Sequence, residues 1–101
     1  MRHRHKFHAQ PTEFNGQRYD SKKEARYAQE LSLRQKAGQV VFWLRQVPFH
    51  LPGGVVYRVD FQEFLAGGDI RFVDVKGRRT ESYKAKKRMV EALYPVTIEE
   101  A

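Results

Sequence analysis

Two aspartates interrupt segments of the sequence that are otherwise rich in β-branched and aromatic residues. Asp60 lies within residues 55–64, and Asp74 lies within residues 70–75, two positions before Lys76. Asp is unfavourable in strands and a buried carboxylate needs a partner, so these interruptions indicate chemistry. Because alternate residues of a strand project to one face, Asp74 and Lys76 would project together. Two carboxylates on one face would offer hard oxygen ligands, which suit Mg²⁺ or Mn²⁺.

The length of the intervening turn decides whether the two aspartates can meet. If residues 66–68 form a three-residue loop, Asp60 lies directly opposite Asp74, and Phe61 lies opposite Val73. A two-residue loop would place the two carboxylates on opposite faces of the sheet. The hydrophobic pattern therefore favours the register that brings Asp60 and Asp74 together.

A third acid, Glu24, falls on the apolar stripe of a predicted helix, one turn before Ala28. A structural interpretation competes with a chemical one, because Ser21 and Glu24 also have the spacing of a capping box. Taken alone, Glu24 fits the cap better. Beside Asp60 and Asp74, it fits a catalytic cluster better.

Turn and capping signals predict the elements that would position these acids. The prediction is a hairpin over 12–19 around Asn15-Gly16, a helix from Ser21 to about Ala37, strands over 40–44, 55–64 and 70–75, a helix from Thr80 or Ser82 to about Tyr94, and a strand over 96–98. In the second strand, alternation predicts that Val55, Tyr57, Val59 and Phe61 share a face; in the second helix, we expect Tyr83, Val90 and Leu93 to face inward. This order indicates an α+β (mixed α/β) fold with a small central sheet flanked by helices. Residues 1–10 are expected to form a basic flexible arm, and 11–101 a single domain.

The chain carries a net charge of +7, and its basic residues are clustered. Residues 76–88 hold seven basic side chains against Glu81 alone, a pattern typical of nucleic-acid binding, although a solvated surface would also account for it. The candidate nucleic-acid-binding residues are Arg78, Arg79, Lys84, Lys86, Lys87, Arg4 and Lys6. Absence of Cys excludes thiolate metal sites and fits a cytoplasmic protein, and no apolar run approaches the length of a membrane span.

The arrangement of acids resembles the PD-(D/E)XK nuclease superfamily, and the wider sequence resembles its small phage and prophage endonucleases, which include Holliday junction resolvases. The likeness rests on Glu24 in the first helix, Asp60 on the second strand, and Asp74-Val75-Lys76 on the third, followed by a Lys-rich helix. Asp74 stands where many members have Glu, and the family pattern admits either acid. The resemblance implies a restriction-endonuclease-like core and metal-dependent hydrolysis of DNA phosphodiester bonds.

The resemblance also implies a role for each site residue. Asp60, Asp74 and the Val75 carbonyl would hold Mg²⁺ or Mn²⁺, and Glu24 would complete the site or hold a second ion. Lys76 would position the attacking water or stabilise charge on the phosphate, and Gln46 would orient the phosphate or water. By the same analogy we expect a homodimer, acting on DNA that includes branched DNA, in the host cytoplasm if the chain is phage-encoded.

Other interpretations remain open at this stage. The leading alternative is a non-catalytic nucleic-acid-binding module with a basic face, and a third is an interaction protein such as a phage regulator of a host enzyme. Asp74 and Lys76 could form a surface ion pair on an edge strand. Phe42, Trp43 and Phe49 are candidates for a dimer interface, and the three histidines within residues 1–10 fit a basic arm better than a metal site.

Overall fold

A computed structural model describes residues 11–75, 77 and 79–101 of the chain. Its elements are β1 (Thr12–Phe14), β2 (Gln17–Tyr19), α1 (Lys22–Lys36), β3 (Val40–Leu51), a 3₁₀ turn (Pro52–Gly54), β4 (Val55–Leu65), β5 (Ile70–Asp74), α2 (Glu81–Leu93) and β6 (Ile98–Glu100). The expected α+β fold is confirmed, as is the order helix, three strands, helix, strand. The predicted arm over residues 1–10, together with Lys76 and Arg78, lies outside the described residues.

The N-terminal hairpin and α1 follow from local signals. Asn15 and Gly16 both have positive φ, 54° and 78°, as the type I′ turn of a tight hairpin requires. Ser21 caps α1 by accepting a hydrogen bond from the Glu24 N–H at 3.1 Å. Gly38, with φ 84°, follows the helix as predicted.

The larger sheet has the order β3-β4-β5-β6. β4 and β5 are antiparallel, with Phe61 paired with Val73 and Phe64 with Ile70. The Leu65 N–H donates to the Asp69 carbonyl at 2.9 Å, which closes the three-residue loop over 66–68. The predicted register is therefore confirmed, and it brings Asp60 opposite Asp74.

β3 is longer than expected, because it continues through Pro48 to Leu51. Pro lacks the N–H needed in a central strand, but β3 is at the edge of its sheet, where Pro is tolerated. The extension also buries Phe49, which is 8% exposed. The prediction of Phe49 as an exposed interface residue is wrong for this reason.

At Gln46, which has a positive φ of 52°, the buried side chains of β3 change from one face of the sheet to the other. Before it, Trp43 packs against the cluster of buried residues around α1; after it, Val47 and Phe49 belong to the cluster around α2. An unbroken strand would hold these odd-numbered residues on one face. A non-glycine residue in this conformation breaks the alternation of β3.

The buried side chains of β4 also change from one face of the sheet to the other, at the position beside Gln46. Phe61 belongs to the α1 cluster, whereas Tyr57 and Val59 belong to the α2 cluster. The prediction that Phe61 shares a face with Tyr57 and Val59 is therefore wrong. Asp60 stands between the two halves, so the change of face coincides with the position of a candidate catalytic acid.

α2 connects β5 to the parallel strand β6, and it begins at the Thr80 cap, whose hydroxyl accepts from the Tyr83 N–H at 3.1 Å. Tyr83 and Val90 are buried as expected, but Leu93 is 57% exposed, so its predicted inward position is wrong. Leu93 is the last residue of the helix. Within the described residues, neither helix has the length and apolar content that crossing a bilayer requires.

A buried ionic cluster ties α1 to the sheet away from the candidate site. Glu63 of β4 is fully buried and accepts a hydrogen bond from the Tyr27 hydroxyl. Its carboxylate lies 3.2 Å from the Arg34 guanidinium and 3.3 Å from that of Arg71, which also binds Glu99. The charge of Glu63 is thus compensated, as burial of a carboxylate demands.

Candidate active site

Three acidic side chains, from three different elements, lie near the change of face. Glu24 comes from α1, Asp60 from β4 and Asp74 from β5. Their exposed fractions are 4%, 6% and 0%. Carboxylates are seldom buried this fully without a specific role or partner.

The two aspartates are joined by hydrogen bonds through the backbone. The Asp60 N–H donates to Asp74 Oδ1 at 3.0 Å, and the Val75 N–H donates to Asp60 Oδ2 at 2.9 Å. Each carboxylate therefore reaches across to the neighbouring strand. This exchange fixes the two side chains relative to each other, as the register predicts.

Tyr57 holds the second oxygen of Asp74. Its hydroxyl donates to Asp74 Oδ2 from within the buried cluster around α2. Burial, and then the hydrogen bond to Asp74, raise the pKa of Tyr57 well above its usual range. The hydroxyl therefore keeps its proton and donates a hydrogen bond to Asp74 at physiological pH.

Gln46 connects Glu24 to Asp60. Its Nε2 donates to Glu24 Oε2 at 3.3 Å and to Asp60 Oδ1 at 3.1 Å. Gln46 reaches both acids because its own backbone turns at the change of face. The structure thus brings Glu24, Gln46, Asp60, Asp74 and Val75 together, as predicted; Lys76 lies outside the described residues.

Arg45 supplies positive charge beside Glu24. Its Nη2 lies 3.8 Å from Glu24 Oε2 and donates to the Arg18 carbonyl at 3.0 Å. The guanidinium carbon lies 3.8 Å from the centroid of the Tyr19 ring, the geometry of a cation–π contact. Ser21 caps the backbone of α1 while the Glu24 carboxylate reaches Gln46, so capping by Ser21 does not exclude a chemical role for Glu24.

The donor set can be compared with what a divalent cation requires. It consists of carboxylate oxygens, which match Mg²⁺ or Mn²⁺, and contains no thiolate. Among the residues described, no three His, Cys, Asp or Glu side chains are grouped around one metal position. Each Asp74 oxygen accepts one hydrogen bond and has two lone pairs, so it retains a site for a ligand. The chemistry of the residues therefore fits such an ion.

The predicted nucleic-acid-binding residues fall into three groups. Glu100 pairs with Arg79 at 2.5 Å and with Lys87 at 3.3 Å, and Glu81 pairs with Lys84 at 3.3 Å. Lys86 forms no such pair with any residue that the structure describes. Arg78, Arg4 and Lys6 lie outside the described residues.

The sequence analysis did not identify Tyr57 or Arg45 as parts of the site. Alternation placed Tyr57 with the core, and its burial agrees with that. The signal that was missed is its position three residues before Asp60, beside a break in alternation that no local pattern announces. Arg45 adjoins Gln46, but its contacts depend on the hairpin at Arg18 and Tyr19.

Comparison with known proteins gave one match. A family model described as "Protein of unknown function (DUF1064)" matches residues 4–99. The search of curated proteins and the search of solved structures found no match.

Proposed function

Because the chain belongs to the DUF1064 family, which has no assigned activity, its function is argued from the site, and we propose a metal-dependent endonuclease that hydrolyses DNA. The observation that carries this proposal is that acids from three elements are linked: the Gln46 amide joins Glu24 to Asp60, and the Asp60 backbone N–H joins Asp60 to Asp74. The resemblance to PD-(D/E)XK nucleases points in the same direction. We place the enzyme in the cytoplasm.

The residues of the chain hold the reacting groups in position. Asp60 and Asp74, with the Val75 carbonyl and Glu24, would hold Mg²⁺ or Mn²⁺. When bound, such an ion polarises the phosphate and lowers the pKa of a water nucleophile. The Gln46 amide fixes the spacing of Glu24 and Asp60, and it limits the rotation of both carboxylates.

Basic side chains outside the acidic cluster are assigned to the binding of the DNA substrate. We assign to Lys76 the positioning of the attacking water and the stabilisation of charge on the phosphate. Arg78, Lys84, Lys86, Arg4 and Lys6 are proposed to contact DNA phosphates. Arg79 and Lys87 share Glu100, so we assign them a weaker part in binding.

The test is cleavage of plasmid DNA with Mg²⁺, with and without a chelator. Asp74→Asn preserves the shape of the side chain and removes its charge, so we expect cleavage to fall by at least about a hundredfold while DNA affinity is retained. Asp69→Asn, in the exposed turn before β5, is the matched control and should cleave as the wild type does. Comparable turnover by Asp74→Asn would reject the assigned site.

A nucleic-acid-binding module without turnover is the second candidate. The observation that favours it is the complete burial of Asp74, whose two oxygens accept from Tyr57 and the Asp60 backbone. These bonds could serve the fold alone. Metal-independent DNA binding with no cleavage in Mg²⁺ or Mn²⁺ would establish this candidate over the first.

We also propose that the enzyme is a homodimer that acts on branched DNA. Two copies related by a two-fold axis would present two sites to two backbones, which matches the symmetry of a four-way junction. Exposed apolar side chains on the larger sheet, including Phe42 and Ile70, offer a surface for such an association.

A further inference from the structure

A cleft of about 380 Å³ lies between β4 and the first turns of α2. It is separate from the acidic cluster, although the two adjoin. Arg58 of β4 lines it, together with Ser82 and Lys86 of α2. Among the described residues that line it, none is acidic.

The two cations of the cleft differ from their neighbours on α2. Arg79, Lys84 and Lys87 each pair with a glutamate. Neither Arg58 nor Lys86 forms an ion pair with any residue in the part of the chain that the structure describes. Two uncompensated like charges in one concavity repel each other, and a bound anion relieves that repulsion.

Tyr57 links this cleft to the acidic cluster. Its side chain is part of the cleft wall, and its hydroxyl donates to Asp74. A group bound in the cleft is therefore separated from Asp74 by a single residue. A DNA strand that presents one phosphate to Asp74 can present another to the cleft.

We propose that this cleft binds a phosphodiester of the DNA backbone beside the one that is cleaved. The Arg58 guanidinium, the Lys86 ammonium and the Ser82 hydroxyl donate to the phosphate oxygens. This inference rests on the proposed nuclease function, because it places the cleft on the path of the substrate strand. It adds Arg58 and Ser82 to the binding surface and gives Lys86 a specific role.

The test measures binding without cleavage. A short fluorescent DNA duplex is titrated with the full chain in the presence of a chelator, and anisotropy is recorded over a range of salt concentrations. Arg58→Gln and Lys86→Gln keep most of the aliphatic stem and remove the charge. Arg88→Gln is the matched control, because Arg88 is an exposed cation of the same helix that does not line the cleft.

Each cleft variant should bind at least about tenfold more weakly, as expected for loss of one charge-assisted contact. The slope of log affinity against log salt should fall by about one for each. Arg88→Gln should change neither quantity by as much. If the protein cleaves DNA, KM should rise in the cleft variants while kcat is kept.

The outcomes separate this inference from the nuclease proposal. Cleft variants that bind as Arg88→Gln does would overturn the inference and leave the nuclease proposal intact. A wild-type chain that binds no DNA in chelator would also overturn it. Cleft-dependent binding with no cleavage in Mg²⁺ would support the phosphate site and reject the nuclease.

Discussion

Tyr57 contacts the acidic cluster and also lines the cleft. Its substitution therefore measures most directly how the Asp74 carboxylate is held in position. We predict that Tyr57→Phe lowers the free energy of unfolding by about 2 kcal/mol, the usual contribution of a hydrogen bond to a charged group. Asp74 is fully buried, so no water replaces the lost donor. Urea denaturation measures the change. In the proposed nuclease, Mg²⁺ affinity should also fall on the order of tenfold, as when a ligand loses its supporting hydrogen bond.

Tyr94→Phe is the matched control for this prediction. The Tyr94 hydroxyl donates to the neutral carbonyl of exposed His50 at 2.7 Å, so its loss should cost about 1 kcal/mol or less and leave metal affinity unchanged. If Tyr57→Phe were no less stable than Tyr94→Phe, the hydroxyl of Tyr57 would not be holding Asp74.

The sequence predicted some site residues and not others for a physical reason. Asp60 and Asp74 stand out because each breaks a strand pattern, and the register follows from turn length. Tyr57 and Glu63 do not stand out, because the partner of each is set by which face of the sheet it occupies. That face depends on the positive φ of Gln46, and a glutamine in the sequence does not predict a positive φ.

At the level of elements, β6 is held to α2 through Glu100. Its carboxylate accepts from the Tyr83 hydroxyl at 2.9 Å and pairs with Arg79 and Lys87. The hydrogen bond from Tyr83, followed by those from Arg79 and Lys87, lowers the pKa of Glu100 below 4.5. A carboxyl whose pKa is lower in the folded than in the unfolded chain stabilises the fold above the unfolded pKa. That contribution is lost as the pH falls through the folded pKa.

We therefore predict a pH-dependent effect of Glu100→Gln on thermal unfolding. At neutral pH the variant should melt about 4 °C below the wild type, since solvent screening limits the contribution to about 1 kcal/mol. The difference should shrink as the pH falls below 4.5. Glu30→Gln, at an exposed position of α1, is the control. A difference that persists unchanged in acid would mean that the charge of Glu100 is not responsible.

Local chemistry explains which elements were predicted. The Asn15-Gly16 turn, the Ser21 and Thr80 caps and the loop over 66–68 are each specified by a few adjacent residues. The length of β3 is not specified locally. A proline usually ends a strand, and Pro48 is accepted within β3 only because the tertiary fold places β3 at the edge of its sheet. The exposure of Leu93 likewise depends on where α2 leaves the sheet.

For the whole molecule, an exposed apolar row crosses the larger sheet. Phe42, 51% exposed, is paired with Phe64, and Phe64 is paired with Ile70, which is also 51% exposed. The Phe42 and Phe64 rings lie 5.7 Å apart. A contiguous row of this kind, on one face of three strands, is suited to burial against a second copy.

We predict that light scattering finds twice the chain mass, and that Phe42→Ser with Ile70→Ser shifts the mass to one chain. Leu33→Ser, at an exposed position of α1, should leave the dimer intact. The dimer should cut a four-way junction faster than a linear duplex of the same sequence. A monomer that cuts both substrates equally well would reject the dimer and leave the nuclease proposal standing.

The pairing of β5 with β6 has a consequence for the newly made chain. β6 runs parallel to β5, with Asp74 beside Glu100, and the Ala101 N–H donates to the Asp74 carbonyl at 2.9 Å. All of α2 must therefore be translated before β5 gains its second neighbour. On the ribosome, the strand that carries Asp74 keeps an open edge until residues 98–101 emerge. We expect a nascent chain to acquire its acidic cluster in final form only once residues 98–101 have emerged, after the basic residues of α2 have already been made.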